Sequence, residues 1–469
     1  MNKSSKVKGT LEVLLVIGLI LLIPLFFAIK SVANAPIAQG TGTPYARATA
    51  TSVPQSNPSV SSSSPIQTNA KQPPACTFPL ANITTKEATP EEYTFSEPQV
   101  VLTAPQGNPL NVAQWLPDNQ QVLVTEELAN QWKGGNPNDI QESISLYNLE
   151  TGESKLYAIG PGIGETPMWL PELNGVVYSS VTYSNLNPKD GALETHRKLW
   201  GSYGDPNTVQ LLADNLQLPF IAKPDGSRFM YLSNKQIAKL DKTLKKFSSS
   251  SSFDPDQWDY AKSRRDKNPV RYNMAWQPNT SLVFLYNRAG IGYSEGGYTF
   301  ILDTATGHVC ELNFGGWASN AHWSSDGRYL AFARSKSYTG TDDSPGVVVL
   351  DSITGNLRTV GATLPDAEGE HQIDDFTWTP DNLHLLAFAN VPSHYDLNRR
   401  ETYYYDLYLI DLTSDQSIHL FPEFKSFGGS GNNFVWSPDD SKLLVRCPLS
   451  SALLVTDRYC LISVQSVKR

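Results

Sequence analysis

Residue types and motifs that mark common catalytic centres are scarce in this sequence. Its 469 residues include four cysteines, four methionines and seven histidines. No Gly-x-Ser-x-Gly elbow is present, which disfavours a serine hydrolase. The sequence also has no Cys-x-x-Cys pair, no His-x-x-x-His pair and no Asp-x-Asp-x-Asp-Gly loop, so the usual signatures of zinc and calcium sites are missing. We therefore predict no catalytic residue, no metal site and no cofactor.

Long helical sequence is absent too. The chain has no block rich in Ala, Glu, Lys, Leu and Arg, whereas aromatic residues make up 10% of it and glycine and proline number 32 each. Such a composition indicates many short strands joined by turns. The predicted fold class is all-β.

Positive charge is in short supply outside the N-terminus. The formal net charge is -9, and the first 75 residues hold six of the 37 Lys/Arg but one of the 46 Asp/Glu, which leaves 31 basic and 45 acidic residues, or -14, in the rest. Nucleic-acid phosphates and anionic lipid headgroups would repel such a domain. No nucleic-acid partner is expected, and any membrane contact must come from the N-terminus.

The N-terminus carries a long apolar run. Three lysines within residues 1–10 precede it, and it extends over residues 11–29. At about 1.5 Å per helical residue, such a run crosses a hydrocarbon core of about 30 Å. Because a positive flank stays cytoplasmic, we predict a cytoplasmic basic tail, a transmembrane signal-anchor helix and a single-pass cell-membrane protein with its folded domain outside. The alternative is secretion after cleavage near Ala33-Asn34-Ala35, which resembles a signal-peptidase site.

Residues 30–75 are rich in Ser, Thr and Pro and contain few large apolar side chains. Such a segment cannot bury enough surface to offset the entropy lost on ordering. We predict a disordered linker that holds a folded domain, residues 76–469, clear of the membrane.

A motif of the form Trp-x-Pro-Asp recurs along the remaining sequence. Its aligned positions are 47 to 58 residues apart, and an apolar run follows each copy. They are Trp115, Trp169, Ala222, Trp276, Trp323, Trp378 and Trp436, with Ala222 standing where the third tryptophan belongs. Pro followed by Asp or Asn is typical of a tight turn, so each copy predicts a strand-turn-strand unit.

A second turn pattern recurs between these units. Asp303-Thr304-Ala305-Thr306-Gly307 is one copy, and Asp351-Ser352-Ile353-Thr354-Gly355 is another. The final glycine suits the left-handed residue of a short hairpin loop. Two hairpins per repeat give four strands, so seven repeats predict a seven-bladed β-propeller of four-stranded antiparallel blades. Because one such blade cannot be stable alone, we interpret the repeated tryptophans as packing residues between blades.

The repeat resembles the TolB-type, WD40-like (PD40) propeller repeat. Trp436-Ser437-Pro438-Asp439 and Trp323-Ser324-Ser325-Asp326-Gly327 match its Trp-Ser-Pro-Asp-Gly turn most closely. The resemblance covers the chain from about residue 98 to residue 469. It implies the fold, whereas related propellers serve as protein-binding platforms, peptidase gates and sugar-acid lyases.

The ring of blades also has to close. Val100, Val101 and Leu102 lie in a strand-like run before the first repeat, and residues 453–464 are expected to supply the last hairpin. We predict that the N-terminal run pairs into the final blade.

Four cysteines in an exported chain favour disulfide bonds, and three pairings are possible. Cys76 could tie the start of the domain to the ring. Cys447 and Cys460 are close in sequence, but two strands apart their Cα atoms would be separated by roughly 9 to 10 Å unless the blade is irregular. The pairing stays open at this point.

Polar clusters in the long loops between strands are the candidate binding residues. These loops would ring one mouth of the central channel with mixed charge. The residues are Arg264, Arg265, Glu370, His371, Asp374, Asp375, His394, Tyr395, Arg399 and Arg400.

The first functional hypothesis is a non-enzymatic binding platform for a protein or a cell-envelope polymer. The alternative is a carbohydrate-active, lyase-like propeller in which His371 or His394 converges with Glu370 or Asp374 at a metal site. A third hypothesis is a structural part of a larger surface assembly.

Overall fold

The structure is a computed structural model of the whole chain. It divides into Met1–Gln67 and Thr68–Arg469. The residues that it describes are 73–83, 89–104, 108–128, 137–164, 167–184, 194–216, 220–223, 228–233, 236–252, 272–287, 299–312, 314, 317–335, 343–365, 371–390, 405–422, 432–447 and 458–468. The basic tail, the apolar run over residues 11–29 and all but the last three residues of the linker lie outside them. Within the described ranges, no helix has the length and apolarity needed to cross a membrane.

The described residues form antiparallel strands, and the blades follow one another along the chain. Two strands precede the first repeat: β1 (Glu91–Phe95) and β2 (Gln99–Thr103). Blade one contains β3 (Leu110–Trp115), β4 (Gln121–Leu128), β5 (Gln141–Asn148) and β6 (Ser154–Pro161). Blade two contains β7 (Met168–Leu170), β8 (Gly175–Ser184), β9 (Glu194–Ser202) and β10 (Val209–Leu216). Blade three contains β11 (Ile221–Ala222), β12 (Arg228–Ser233), β13 (Gln236–Asp241) and β14 (Lys246–Ser252).

The remaining blades repeat this arrangement. Blade four contains β15 (Tyr272–Trp276), β16 (Leu282–Asn287), β17 (Thr299–Asp303) and β18 (Val309–Glu311). Blade five contains β19 (Trp317–Trp323), β20 (Tyr329–Ser335), β21 (Asp343–Asp351) and β22 (Leu357–Val360). Blade six contains β23 (Gln372–Trp378), β24 (His384–Asn390), β25 (Tyr405–Asp411) and β26 (Ser417–Leu420). Blade seven contains β27 (Phe434–Trp436), β28 (Lys442–Arg446) and β29 (Arg458–Lys468). The predicted all-β, seven-bladed propeller of four-stranded blades is confirmed.

Blade three is the irregular copy, as the missing tryptophan predicted. Its innermost strand β11 is two residues long and pairs only with β12. A single pairing of Leu216 with Ser233 joins its sheet to that of blade two.

Apolar packing between blades holds the ring together. Seven clusters of buried side chains occupy the seven interfaces, each drawing on two neighbouring blades. Trp378, for example, packs in one cluster with Val349 of blade five and Leu385 of its own blade. The interpretation of the tryptophans as interblade packing residues is therefore confirmed.

The tryptophans also make a repeated hydrogen bond across these interfaces. The Trp323 indole N–H donates to the carbonyl of Ala275 at 3.1 Å, and the Trp378 indole donates to that of His322 at 2.9 Å. The Trp115 indole donates to the carbonyl of Val435 at 2.9 Å. Each acceptor is the residue just before the tryptophan position of the preceding blade. The same bond therefore joins blade one to blade seven across the closure of the ring.

Trp276 and Trp436 depart from this pattern. Trp276 follows the irregular blade three, and its indole donates to the carbonyl of Thr280 in its own turn at 3.0 Å. In blade seven, the Trp436 indole nitrogen is buried and finds no acceptor among the described residues.

Both predicted turn patterns adopt the expected geometry. In the tryptophan turn of blade one, the Asp118 carboxylate accepts backbone hydrogen bonds from Gln120 and Gln121, and Asn119 has φ of 57°. In the second hairpin of blade four, Gly307 has φ of 78°. A left-handed residue at these positions lets the chain reverse within a short loop.

The last blade is closed by strands from the N-terminus. Strand β2 pairs with the first half of β29, and β1 pairs with its second half, from Glu91 with Lys468 to Phe95 with Val464. The predicted pairing of the run that contains Val100, Val101 and Leu102 is confirmed. Residues 458–464 form part of one strand rather than a hairpin, because the N-terminus supplies the outer strands.

The described residues 73–83 and 89–103, here called the belt, contact four successive blades. Cys76 is disulfide-bonded to Cys310 of blade four, and the Leu80 backbone N–H donates to the carbonyl of Ser352 in blade five at 2.9 Å. In blade six, the Asp381 backbone N–H donates to the Tyr93 hydroxyl at 3.2 Å. Strands β1 and β2 then complete blade seven.

The second disulfide joins Cys447 to Cys460, with the Cα atoms 5.4 Å apart. The expected separation by two strands was wrong. Because the belt supplies the outer strands of the blade, β28 and β29 are direct neighbours, and Cys447 follows β28 opposite the start of β29.

Trp323→Phe and Trp436→Phe remove the same group from two blades with different consequences. Trp323→Phe breaks the bond to Ala275 and leaves a half-buried carbonyl without this donor, which costs about 1 kcal/mol beyond the lost packing. Trp436→Phe removes a donor that has no described acceptor, so we expect the smaller loss. Denaturant unfolding of the two variants measures the difference, and an equal or greater loss for Trp436→Phe would contradict it.

Replacing each disulfide by a pair of serines separates their contributions. The Cys76–Cys310 bridge spans 234 residues and the Cys447–Cys460 bridge spans 13. In the chain-entropy model, removal costs about 5 kcal/mol for the long loop and about 3 kcal/mol for the short one. We expect the C76S/C310S variant to lose more unfolding free energy than C447S/C460S, and the reverse order would rule out a role for loop length.

Candidate functional site

Three of the ten predicted binding residues lie in the described part of the structure: His371, Asp374 and Asp375. The other seven lie outside it, namely Arg264, Arg265, Glu370, His394, Tyr395, Arg399 and Arg400.

Asp374 and Asp375 line a cavity of about 770 Å³. Its walls come mainly from the innermost strands of blades five, six, seven and one, which is where a propeller has its axial channel. We call it the axial cavity. Uncharged polar side chains such as Asn320, Gln372 and Asn432 make up much of the remaining wall, together with aromatic rings.

Irregular pairing of the inner strands explains how consecutive side chains reach one cavity. Successive residues of a regular strand point to opposite faces. The pairing of β23 with β24 shifts register between Ile373 and Asp375, and that of β19 with β20 shifts between Ser319 and His322. A bulge turns an extra side chain toward the same side, so both aspartates face the axial cavity.

The Asp375 carboxylate is half-buried and is hydrogen-bonded to two other residues. It accepts hydrogen bonds from the Asn433 side-chain amide at 2.6 Å and from the Phe376 backbone N–H at 2.9 Å. Burial raises the pKa of Asp375, against the opposing effects of nearby His322 and of the hydrogen bonds from Asn433. Its ionised form is therefore less favourable here than in water, and a cation beside it would be attracted.

Asn433 supports that carboxylate and offers an acceptor of its own. The residue is 6% exposed, and its backbone carbonyl accepts a hydrogen bond from the Arg446 backbone N–H at 3.1 Å. Its side-chain oxygen is shielded from water and receives no hydrogen bond within the described ranges. A buried acceptor without a donor is costly, so Asn433 marks a position suited to a donating ligand.

His322 is a site residue that the sequence reasoning missed. Water reaches its side chain within the axial cavity, and its ring stands edge-on to Phe376 with centroids 5.5 Å apart. The surrounding protein lowers the pKa of His322 by desolvation, while nearby Asp375 acts to raise it. The repeat contained a usable signal, because the residue just before the tryptophan position can be compared across the blades. Among those residues, His322 is the ionisable one.

His371 lies outside the axial cavity. Its Nε2 atom lies 3.1 Å from the carbonyl oxygen of Gly361, and the residue does not line the axial cavity. The described residues contain no group of three or more His, Cys, Asp or Glu side chains able to hold a metal ion.

A second cavity, of about 600 Å³, adjoins the first near the closure of the ring. Ala113 and Asn432 line both. The second cavity contributes Glu126, Glu127 and Glu142, and the Glu142 carboxylate accepts the Gly164 backbone N–H at 2.8 Å. The described lining of the two cavities thus holds five carboxylates and no Lys or Arg.

No family model and no curated protein matches the chain. Solved structures that it resembles include an oligogalacturonate lyase from Vibrio parahaemolyticus, at 12% identity and a TM-score of 0.46, covering 80% of this chain and 98% of the other. A putative TolB from Agrobacterium tumefaciens matches at 15% identity and 0.38, covering 79% and 94%. The β-propeller domain of the Trilobed protease from Pyrococcus furiosus matches at 9% and 0.42, covering 78% and 94%. The predicted likeness to TolB-type propellers is confirmed as a likeness of fold, and identities this low concern the fold alone.

Asp375→Asn tests the electrostatics of the site through stability. A raised pKa means that the folded protein holds this proton more tightly than the unfolded chain does. The resulting stabilisation is complete below the unfolded pKa and is lost as the pH rises through the raised folded pKa. At neutral pH the ionised carboxylate therefore destabilises the fold. Asp375→Asn keeps an acceptor for Asn433 but loses the one for the Phe376 N–H, which bonds to the other oxygen. Because the variant lacks the charge, its melting temperature relative to that of the unmodified chain is expected to rise from acidic to neutral pH.

Asp439→Asn is the matched control. Hydrogen bonds from Ser437 and Ser441 lower the pKa of Asp439, so its ionised form stabilises the fold, and the variant is expected to melt at a lower temperature. A difference in melting temperature between Asp375→Asn and the unmodified chain that stays constant or falls from acidic to neutral pH would contradict the assignment.

Proposed function

We propose that this chain is a non-enzymatic binding platform, a propeller tethered to the outer face of the membrane that holds a protein partner at its axial cavity. The observation that carries the proposal is the axial cavity itself. It is wide enough for side chains of a partner, and its wall combines hydrogen-bonding amides with aromatic rings and carboxylates. Convergent polar groups in a concave site are typical of a binding site.

The tether is proposed from the sequence alone. The apolar run over residues 11–29 has the length of a membrane-spanning helix, and the polar linker after it gives the domain freedom to reach a partner. The belt begins where this linker ends, so the connection enters the folded domain at the Cys76–Cys310 bridge.

The lyase-like alternative is less well supported by the described residues. His371 bonds to a backbone carbonyl instead of converging with Asp374 in the axial cavity. An acidic sugar polymer would also meet the carboxylates of Asp374 and Asp375 without a described Lys or Arg in the lining to offset them. Like charges brought together in a cavity repel strongly because solvent screens them poorly.

Site-specific photo-crosslinking of the full chain in the cells that produce it tests the proposal. A photoreactive residue replaces Gln372, an exposed residue that lines the axial cavity. We expect a discrete adduct that a protease degrades and a glycosidase leaves intact, recovered in the membrane fraction.

The control places the same photoreactive residue at Val209, which is 40% exposed on the outermost strand of blade two. Equal adducts at both positions, or none at Gln372, would count against a partner at the cavity. Formation of an unsaturated product from oligogalacturonate, followed by absorbance, would instead favour the lyase-like alternative.

A further inference from the structure

The axial cavity has a charge and hydrogen-bonding pattern that selects one kind of ligand group. Among its described lining residues, two are carboxylates and none is Lys or Arg. The adjoining cavity adds three glutamates and again no described basic residue. A ligand that enters this region therefore meets an excess of negative charge at short range.

Hydrogen bonds fix the orientation of one of these carboxylates, that of Asp375. The Asp375 carboxylate accepts hydrogen bonds from the Asn433 amide at 2.6 Å and from the Phe376 backbone N–H. Its orientation is therefore set by strand β23 and by the residue just before β27 of blade seven. Asn433 is only 6% exposed, and its side-chain oxygen has no hydrogen-bond donor within the described ranges. A carboxylate and an amide oxygen side by side call for a group that carries several N–H donors.

Aromatic rings supply the other half of the recognition. Phe434 and Tyr405 are partly exposed where they line the cavity, and the buried ring of Phe388 lies behind them, with its centroid 4.6 Å from that of Phe434 and 6.5 Å from that of Tyr405. Ring faces attract a cation and also accommodate the aliphatic stem of a long basic side chain. A hydrated metal ion has no aliphatic stem that could lie along these rings.

We propose that the axial cavity binds the guanidinium group of an arginine presented by a protein partner, with Asp375 as its counter-charge and Asn433 as a second acceptor. This inference rests on the proposed binding function and names its ligand chemistry. A planar guanidinium has five N–H donors in fixed directions and matches a carboxylate beside an amide oxygen better than a single ammonium does. The arginine side chain sits against the partly exposed rings of Phe434 and Tyr405.

The probe is a short peptide, Gly-Gly-Arg-Gly-Gly, blocked at both ends so that arginine is its sole charge. The matched peptide carries citrulline, which has nearly the same shape without the charge. Binding of each to the full chain is measured by calorimetry. We expect the arginine peptide to bind about tenfold or more tightly, as a charge-assisted hydrogen bond to a partly buried carboxylate requires.

Two variants test whether Asp375 and Asn433 cause the preference for the arginine peptide over the citrulline peptide. Asp375→Asn keeps the shape and removes the charge, and Asn433→Leu keeps the volume and removes the free acceptor. Both are expected to bring the two peptides to within about twofold of each other, whereas Asp439→Asn, in the tryptophan turn of blade seven, leaves the preference unchanged. Melting curves establish that each variant is folded at the temperature of the assay.

Equal affinity of the unmodified chain for the two peptides would overturn the proposal, as would a preference that survives Asp375→Asn. Spermidine, a cation with no guanidinium, is the third probe, and tighter binding of spermidine than of the arginine peptide would assign the site to a free polyamine instead. Crosslinking at Gln372 with no arginine preference would leave the binding platform standing and remove only its proposed ligand.

Discussion

The structure depends on the contact between one blade and the next. A single four-stranded sheet has two apolar faces, and each is covered only by its neighbour in the ring. In six of the seven blades a tryptophan near the end of the inner strand packs in that interface. In blades one, five and six its indole N–H also donates to the preceding inner strand. Packing and a directed hydrogen bond therefore set the same relative position of two blades. The axial cavity exists because inner strands held in this way leave space between them.

Closure of the ring adds a second constraint. The belt brings β1 and β2 to β29, and the Trp115 indole joins blade one to blade seven at the same seam. Nearby, the buried Tyr459 hydroxyl donates to the carbonyl of Asn432 at 2.7 Å. Asn432 lines both cavities, and the next residue, Asn433, holds Asp375. The candidate site is thus built beside the place where the two ends of the domain meet, so its geometry depends on correct closure.

The repeat made the fold predictable, because turn residues and packing tryptophans act locally and recur at matched spacing. Even the irregular blade three was visible in advance as Ala222. The site was only partly predictable: Asp374 and Asp375 were among the candidate residues, but no residue type indicated the irregular strand pairing at this position. His322 and Asn433 belong to different blades, and only the curvature of the ring brings them to one cavity. The Cys447–Cys460 bridge escaped prediction because the strand order of the last blade depends on residues far away in sequence.

The Cys76–Cys310 bridge has a mechanical consequence. A force applied to the chain from the N-terminal side of the belt reaches this covalent link first, and passes from there into β18 of blade four. The load is taken up before it can peel β1 and β2 away from β29. With the bridge reduced, the same pull would act along the belt on the strands that close the ring, next to Asn432 and Asn433. The bridge thereby separates tension on the linker from the shape of the axial cavity.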